Sequence, residues 1–169
     1  MKIKCRSCNG EIDNQNLGAI IDYLKDELCS NCKLDLSCRE GITLQEVIDK
    51  QIAPIIVLDQ EGLVQTVNEK ARELFNQTLY YFRGKTVGKV FECKYAQLPE
   101  GCGKTVHCSS CSIRLAISET FTSGKPVTRM GATLKSLGSG EQQEIHYYIS
   151  TMKRRDAVIL QIDDRTYKK

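Results

Sequence analysis

The chain has 169 residues, of which 41% are hydrophobic and 27% are charged, and its formal net charge is +3. This composition is typical of a folded globular protein, and the length allows one ordinary domain plus a small satellite. No apolar run approaches the roughly 20 residues that a membrane-spanning helix needs, so the sequence predicts no membrane segment.

The segment 1–38 carries five of the nine cysteines and predicts a small zinc-binding unit. Four of them form two C-x2-C pairs: Cys5 with Cys8, and Cys29 with Cys32. Two residues between thiolates let a tight turn aim both sulfurs at one ion, so two pairs complete a tetrahedral shell. A segment this small cannot bury enough surface alone, so we expect zinc to supply its stability. Cys38, six residues past Cys32, is an alternative ligand, and we interpret it as a bystander thiol.

The residues ahead of Cys5 lack the apolar stretch of a signal peptide, which predicts a reducing, cytoplasmic location. In such a compartment, cysteines at these spacings bind metals rather than form disulfides. A zinc ion with four thiolates carries about two negative charges. The formal charge of +3 is therefore weak evidence for nucleic-acid binding.

The elements that follow alternate between helix and strand. Thr43 and Glu46 match a capping box, which predicts a helix to about residue 50. Apolar runs predict strands over 55–58 and 63–67, joined by a glycine-containing turn. Asn68 then caps a predicted helix over 69–75.

The second half of the chain is predicted to end in a β meander. Short helices continue through residue 91, and a helix over 112–122 has one apolar face and ends ahead of Gly124 and Pro126. The remaining pattern predicts three strands, over 127–134, 144–152 and 157–162. We interpret the carboxylate pair that follows, Asp163 and Asp164, as a solvated turn.

A second group of four cysteines lies between these halves and predicts another metal site: Cys93, Cys102, Cys108 and Cys111. Gly101 and Gly103 give the backbone around Cys102 the freedom to wrap a metal. Cys111 starts the helix over 112–122, where the helix dipole is expected to lower a thiol pKa. Positive charge nearby comes from Lys94, Lys104 and Arg114.

Both zinc and a [4Fe–4S] cluster accept four thiolates, and the spacing does not separate them. We favour zinc, because the N-terminal quartet already predicts a zinc site. A redox switch between Cys108 and Cys111 is a third alternative. His107 is a candidate to replace a weak ligand or to hydrogen-bond one. His146 alternates within a strand and is expected to have a cross-strand role.

From about residue 43 to 166, the order of elements and several motifs resemble a PAS domain. The run from Ile55 to Asn68 resembles the opening hairpin of that family, and Phe82-Arg83-Gly84-Lys85 resembles a short loop of it. The run from Val158 to Thr166 resembles the last strand and exit motif. The insertion 93–111 is similar to that of a cysteine-bearing subset of bacterial PAS sensors.

The resemblance implies an α+β fold with a five-stranded antiparallel sheet and helices on one face. It implies a sensor or interaction module that acts through a signalling kinase, a regulator or a homodimer. A small ligand pocket is one expectation, and a packed core of the same residues is the alternative: Ile56, Leu58, Leu74, Val90 and Leu160. The sequence has no nucleotide-binding loop and no paired nucleophile and base, so we expect no enzyme activity.

The two C-x2-C pairs of segment 1–38 resemble a zinc ribbon, and this resemblance leaves a second class of function as an alternative. Zinc ribbons also serve as adaptors that bind nucleic acid or a transcription complex. Such a surface usually combines basic and aromatic side chains, and Tyr23 is the one aromatic residue of segment 1–38. The sequence therefore favours the sensor over the adaptor.

Overall fold

The computed structural model describes residues 3–4, 11–12, 44–137 and 142–167. Near the N-terminus, β1 (Ile3–Lys4) pairs antiparallel with β2 (Glu11–Ile12), and Ile3 lies opposite Ile12. The predicted boundary between segment 1–38 and the domain from residue 43 lies outside the described residues.

The domain is built on one antiparallel sheet of five strands, in the order β4-β3-β7-β6-β5. Its strands are β3 (Ile55–Leu58), β4 (Val64–Val67), β5 (Val127–Ser136), β6 (Gln143–Arg154) and β7 (Ala157–Tyr167). Its helices are α1 (Leu44–Asp49), α2 (Glu69–Phe75), α3 (Leu79–Phe82), α4 (Val87–Val90) and α5 (Ser112–Ser123), with 3₁₀ turns at Lys94–Gln97 and Val106–Cys108. The predicted α+β architecture with a five-stranded antiparallel sheet is confirmed.

The inner face of the sheet forms the main core, because apolar residues alternate along its strands. In β7, Val158, Leu160 and Ile162 are buried in this core, whereas Ile159 belongs to a second cluster. The residues predicted to line a pocket are packed here: Ile56, Leu58, Val90 and Leu160 within the core, and Leu74 against it. They form packed core, which was the alternative left open by the sequence.

Helix α1 packs on the opposite face of the sheet, so the expectation of helices on one face is wrong for this element. Val47 and Ile48 bury against Ile55 and Val57 of β3 in the second cluster. Adjacent residues of a strand point to opposite faces, so a fully apolar β3 needs cover on both sides. Helix α1 supplies the outer cover.

Asn68 ties α1, β3 and α2 together. It is fully buried, and its Oδ1 accepts hydrogen bonds from the N–H groups of Ile55 at 2.8 Å and Ala71 at 3.0 Å. Its Nδ2 donates to the carbonyl oxygens of Ile48 at 3.1 Å and Ala53 at 2.8 Å. Both functional groups of the amide are thus satisfied, and the predicted cap of α2 also fixes the neighbouring segments.

Strand β7 runs five residues beyond its predicted end at residue 162. Asp163 and Asp164 therefore lie inside a strand, and their interpretation as a solvated turn is wrong. Asp163 accepts hydrogen bonds from Ser150 Oγ at 2.6 Å and Gln161 Nε2 at 2.8 Å. Asp164 lies opposite Tyr148 of β6, just past a β-bulge. Pairing with a long neighbouring strand overrides the polar character of this segment.

An aromatic pair lies in the core next to the cysteine insertion. Tyr147 on β6 is 1% exposed and meets Phe91 edge to face, with ring centroids 4.8 Å apart. Burial raises the pKa of Tyr147 to about 12, although the nearby charge of Arg165 opposes this shift. Among the described residues, no helix is long and apolar enough to cross a membrane.

Candidate metal centre

All four central cysteines line one cavity of about 330 Å³. The cavity lies where α4, the insertion 93–111 and the start of α5 meet the end of β5. Its inner wall includes Phe91 and Ile113, which belong to the main core. The structure therefore brings to one place the residues that spacing predicted as a quartet.

Gly88 of α4 positions two of the cysteines. Its carbonyl oxygen accepts the N–H of Cys93 at 2.8 Å, and its own N–H favours the thiolate form of Cys102. A Cβ on Gly88 would lie 2.5 Å from Cys102 Sγ, so only glycine lets this sulfur approach the helix. Burial nevertheless raises the pKa of the Cys102 thiol above its ordinary value.

The buried sulfur of Cys108 has the most polar surroundings of the four. It accepts the N–H of Gly103 at 3.1 Å and lies 3.2 Å from the hydroxyl of Thr105. Burial alone would raise the pKa of the Cys108 thiol. The hydrogen bonds, together with the charge of Arg114, outweigh burial, so this pKa lies below its ordinary value.

Cys111 is the N-cap residue of α5, as predicted, but the expected direction of its pKa shift is wrong. Burial raises the pKa of the Cys111 thiol, and the N–H groups of Ile113 and Arg114 offset this only in part. Loss of water around the thiol therefore exceeds the favourable effect of the helix start.

Cys93 connects the cavity to the sheet. It forms an isolated antiparallel bridge with Ser136, the last residue of β5. Next to it, the N–H of Leu137 donates to the carbonyl oxygen of Glu92 at 3.2 Å. The backbone of the cysteine insertion is therefore hydrogen-bonded directly to the end of β5.

The four thiols share the cavity but do not meet at one point. Among the described residues, no three Cys, His, Asp or Glu side chains form a group that could hold a metal ion as they stand. A single metal would have to draw the sulfurs together around the cavity. Four thiols in one cavity suit either zinc or a [4Fe–4S] cluster in ligand type and number, and metal binding here remains a proposal.

His107 lines the cavity through an aromatic stack. Its ring stacks on that of Tyr95 at an interplanar angle of 22°, with centroids 3.9 Å apart, and both residues border the cavity. His146 lies on β6 instead, where Nδ1 is 2.7 Å from the hydroxyl of Thr133 on β5. The predicted cross-strand role of His146 is confirmed.

The structure does not describe the N-terminal cysteines. Cys5, Cys8, Cys29, Cys32 and Cys38 lie outside the described residues. The zinc ion expected on the first four therefore stays a prediction.

Sequence reasoning missed two residues that shape the cavity. Gly88 and Thr105 were not linked to the cysteines, although each is next to at least one sulfur. A glycine inside a short helical pattern, Val87-Gly88-Lys89-Val90, was the available signal for Gly88, because glycine at such a place often permits a close approach. No comparable signal marks Thr105.

No protein-family model matches the chain, and no curated protein matches it either. Among solved structures, a domain of a sensory box sensor histidine kinase/response regulator from Geobacter sulfurreducens is similar, with 16% identity, a TM-score of 0.49, and coverage of 79% of this chain and 97% of that one. A PAS domain from Colwellia psychrerythraea has 17% identity, a TM-score of 0.45, and coverage of 77% and 96%. The PAS domain of nitrogen regulation protein NR(II) from Vibrio parahaemolyticus has 15% identity, a TM-score of 0.44, and coverage of 72% and 98%. All three TM-scores are below 0.5, and the fold is defined by the strand order and register of the sheet.

Proposed function

We propose that this chain is a metal-binding PAS-like module of bacterial signal transduction. It acts as a sensor or an interaction module, without enzyme activity of its own. The observation that carries the proposal is the cavity shared by four thiols, at a place where the insertion meets both α5 and β5. In this proposal the ligands are Cys93, Cys102, Cys108 and Cys111.

The surroundings of the sulfurs support a metal rather than four inert buried thiols. Main-chain N–H groups favour the thiolate of three cysteines, although burial still raises the pKa of the Cys102 and Cys111 thiols: Gly88 for Cys102, Gly103 for Cys108, and Ile113 and Arg114 for Cys111. A neutral thiol is a weak hydrogen-bond acceptor, whereas a thiolate bound to a metal remains an acceptor of N–H groups. Cysteines that only fill a core need no such donors.

Zinc is the metal that we favour, and a [4Fe–4S] cluster is the alternative. Zinc would supply a fixed structural link, whereas a cluster would supply sensitivity to redox state or oxygen. In either case the chain holds the insertion against the start of α5 through Cys111 and against the end of β5 through Cys93.

The output would pass to a separate protein or to a second copy of the chain. The bridge between Cys93 and Ser136 joins the site to β5, and β5 pairs with β6 along most of its length. Metal binding would therefore order one edge of the sheet. A signalling kinase or regulator that contacts this sheet would then sense the metal state of the site.

Amide hydrogen exchange tests this route. Adding Zn²⁺ to the reduced metal-free chain should slow exchange in α5 and β5, because the metal holds the start of one and the end of the other. Cys102→Ser should abolish the slowing, whereas Cys5→Ser, which affects only the predicted N-terminal site, should retain it. If Zn²⁺ slows exchange equally in wild type and Cys102→Ser, the central cavity is not the metal site.

A further inference from the structure

Three cations were expected near the central cysteines, and the structure distinguishes between them. Lys94 Nζ donates to Gln142 Oε1 at 3.0 Å and lies 5.3 Å from the centre of the Tyr95 ring, and Lys94 does not line the cavity of the four thiols. Lys104 is exposed. It lines neither the cavity of the four thiols, called the thiol cavity below, nor a second cavity next to it. Arg114 lines both.

Gly103 holds Arg114 in this place. A Cβ on Gly103 would overlap Nη1 of Arg114, so the guanidinium rests directly on the glycine backbone. The φ of Gly103 is +92°, a conformation that favours glycine in any case. The same residue donates its N–H to Cys108 Sγ at 3.1 Å. One glycine therefore contacts both the sulfur and the guanidinium.

The guanidinium stands between two cavities. The second, of about 180 Å³, shares Val87, Cys102 and Arg114 with the thiol cavity and opens toward the turn between β3 and β4. Another cation, Lys135, also lines the thiol cavity, but in the β5–β6 register it lies opposite Glu144. Arg114 is thus the cation that both borders the thiols and rests on the loop carrying them.

We propose that Arg114 is a positioning residue of the metal centre: held by Gly103, its guanidinium supplies the counter-charge for the four-thiolate site. The inference rests on the proposed function. Four thiolates around Zn²⁺ leave about two negative charges, and the exposed Arg114 guanidinium, which rests on Gly103 next to Cys108, offsets part of this charge. Its place on Gly103 keeps the guanidinium on the loop that carries the thiols, although Asp59 and Glu61 line the second cavity with it.

Zn²⁺ affinity of the full-length chain tests this. The reduced protein is titrated anaerobically with Zn²⁺ in competition with a chromophoric chelator. The central site is identified as the Zn²⁺-binding component that Cys102→Ser abolishes. Arg114→Gln should weaken this component about tenfold, the lower range for residues next to metal ligands. Arg114→Lys, which keeps the charge, should recover most of the loss. Lys104→Gln removes the same charge from the residue after Gly103 and should change the affinity less than about twofold.

Salt provides a readout that a purely structural role would not move. The ratio of wild-type to Arg114→Gln affinity should shrink as salt rises from about 0.05 M to about 0.5 M, because the Debye length then falls to a few ångströms. Equal affinity in Arg114→Gln and Lys104→Gln would overturn the proposal, and so would a loss in Arg114→Lys as large as in Arg114→Gln. In those outcomes the metal site itself stands. If wild type has no component that Cys102→Ser abolishes, the proposed function falls together with the inference.

Discussion

Gly88→Ala should destabilise the protein, although the same change inside a helix normally stabilises it. Alanine gains about 1 kcal/mol over glycine from helix propensity, and no positive φ at Gly88 opposes the substitution. The new Cβ, however, would lie 2.5 Å from Cys102 Sγ, 3.0 Å from Cys102 Cβ and 3.1 Å from Ala96 Cβ. Overpacking of this kind costs about 1–3 kcal/mol. With three close contacts the upper part of that range applies, so we expect a net loss of about 1–2 kcal/mol.

The assay is urea unfolding of the reduced, metal-free protein, which separates packing from metal binding. A double-mutant cycle identifies the cause. In a Cys102→Ala background the sulfur is gone, so Gly88→Ala should cost at least about 1 kcal/mol less than in wild type. Stabilisation of wild type by Gly88→Ala, or an equal cost in both backgrounds, would refute the described contact between Gly88 and Cys102.

Three further outcomes are expected. Asn68→Ala should lower the free energy of unfolding by about 3 kcal/mol or more, because three buried backbone groups and one partly buried group lose their partner; a loss below about 1 kcal/mol in urea unfolding would contradict this. The pKa of Tyr147 is raised to about 12, so the folded chain keeps a proton that the unfolded chain releases above about pH 10. The free energy of unfolding should therefore fall by roughly 1–3 kcal/mol in total from about pH 10 to 12. The urea midpoint of Tyr147→Phe should fall less over this range, and an equal fall in both proteins would count against the buried phenol. We also expect no turnover of ATP or of an ester substrate, and turnover that a single substitution in this chain abolishes would disprove this.

Local signals predicted most of the fold. The hairpin of β3 and β4, the Asn68 cap and the limits of α5 follow from residues within a few positions of each element. The face on which α1 packs was not predictable in this way. Its apolar stripe shows that one side is buried, but not which surface of the sheet covers it.

The predicted end of β7 was wrong for a related reason. Asp163, Asp164 and Arg165 suggest a turn when considered alone, and only their pairing with β6 keeps them in a strand. Long-range pairing of this kind leaves little trace in a single local segment.

The site was predictable in its ligands but not in its supports. Spacing identified the four central cysteines, and the structure places them in one cavity. The contacts that distinguish their environments are tertiary: Gly88 against Cys102, and Arg114 against Gly103. Burial, which raises the pKa of Cys111 against the effect of the helix start, also depends on packing that the sequence does not specify.

Metal analysis of anaerobically purified protein tests the central claim most directly. We expect a colourless protein with two zinc ions per chain, one for each cysteine quartet. Serine at any one of the central positions should remove one equivalent: Cys93→Ser, Cys102→Ser, Cys108→Ser or Cys111→Ser. Broad absorption near about 400 nm that bleaches in air would identify a [4Fe–4S] cluster in the same cavity. Metal content that stays unchanged in all four variants would show that these cysteines do not form a metal site.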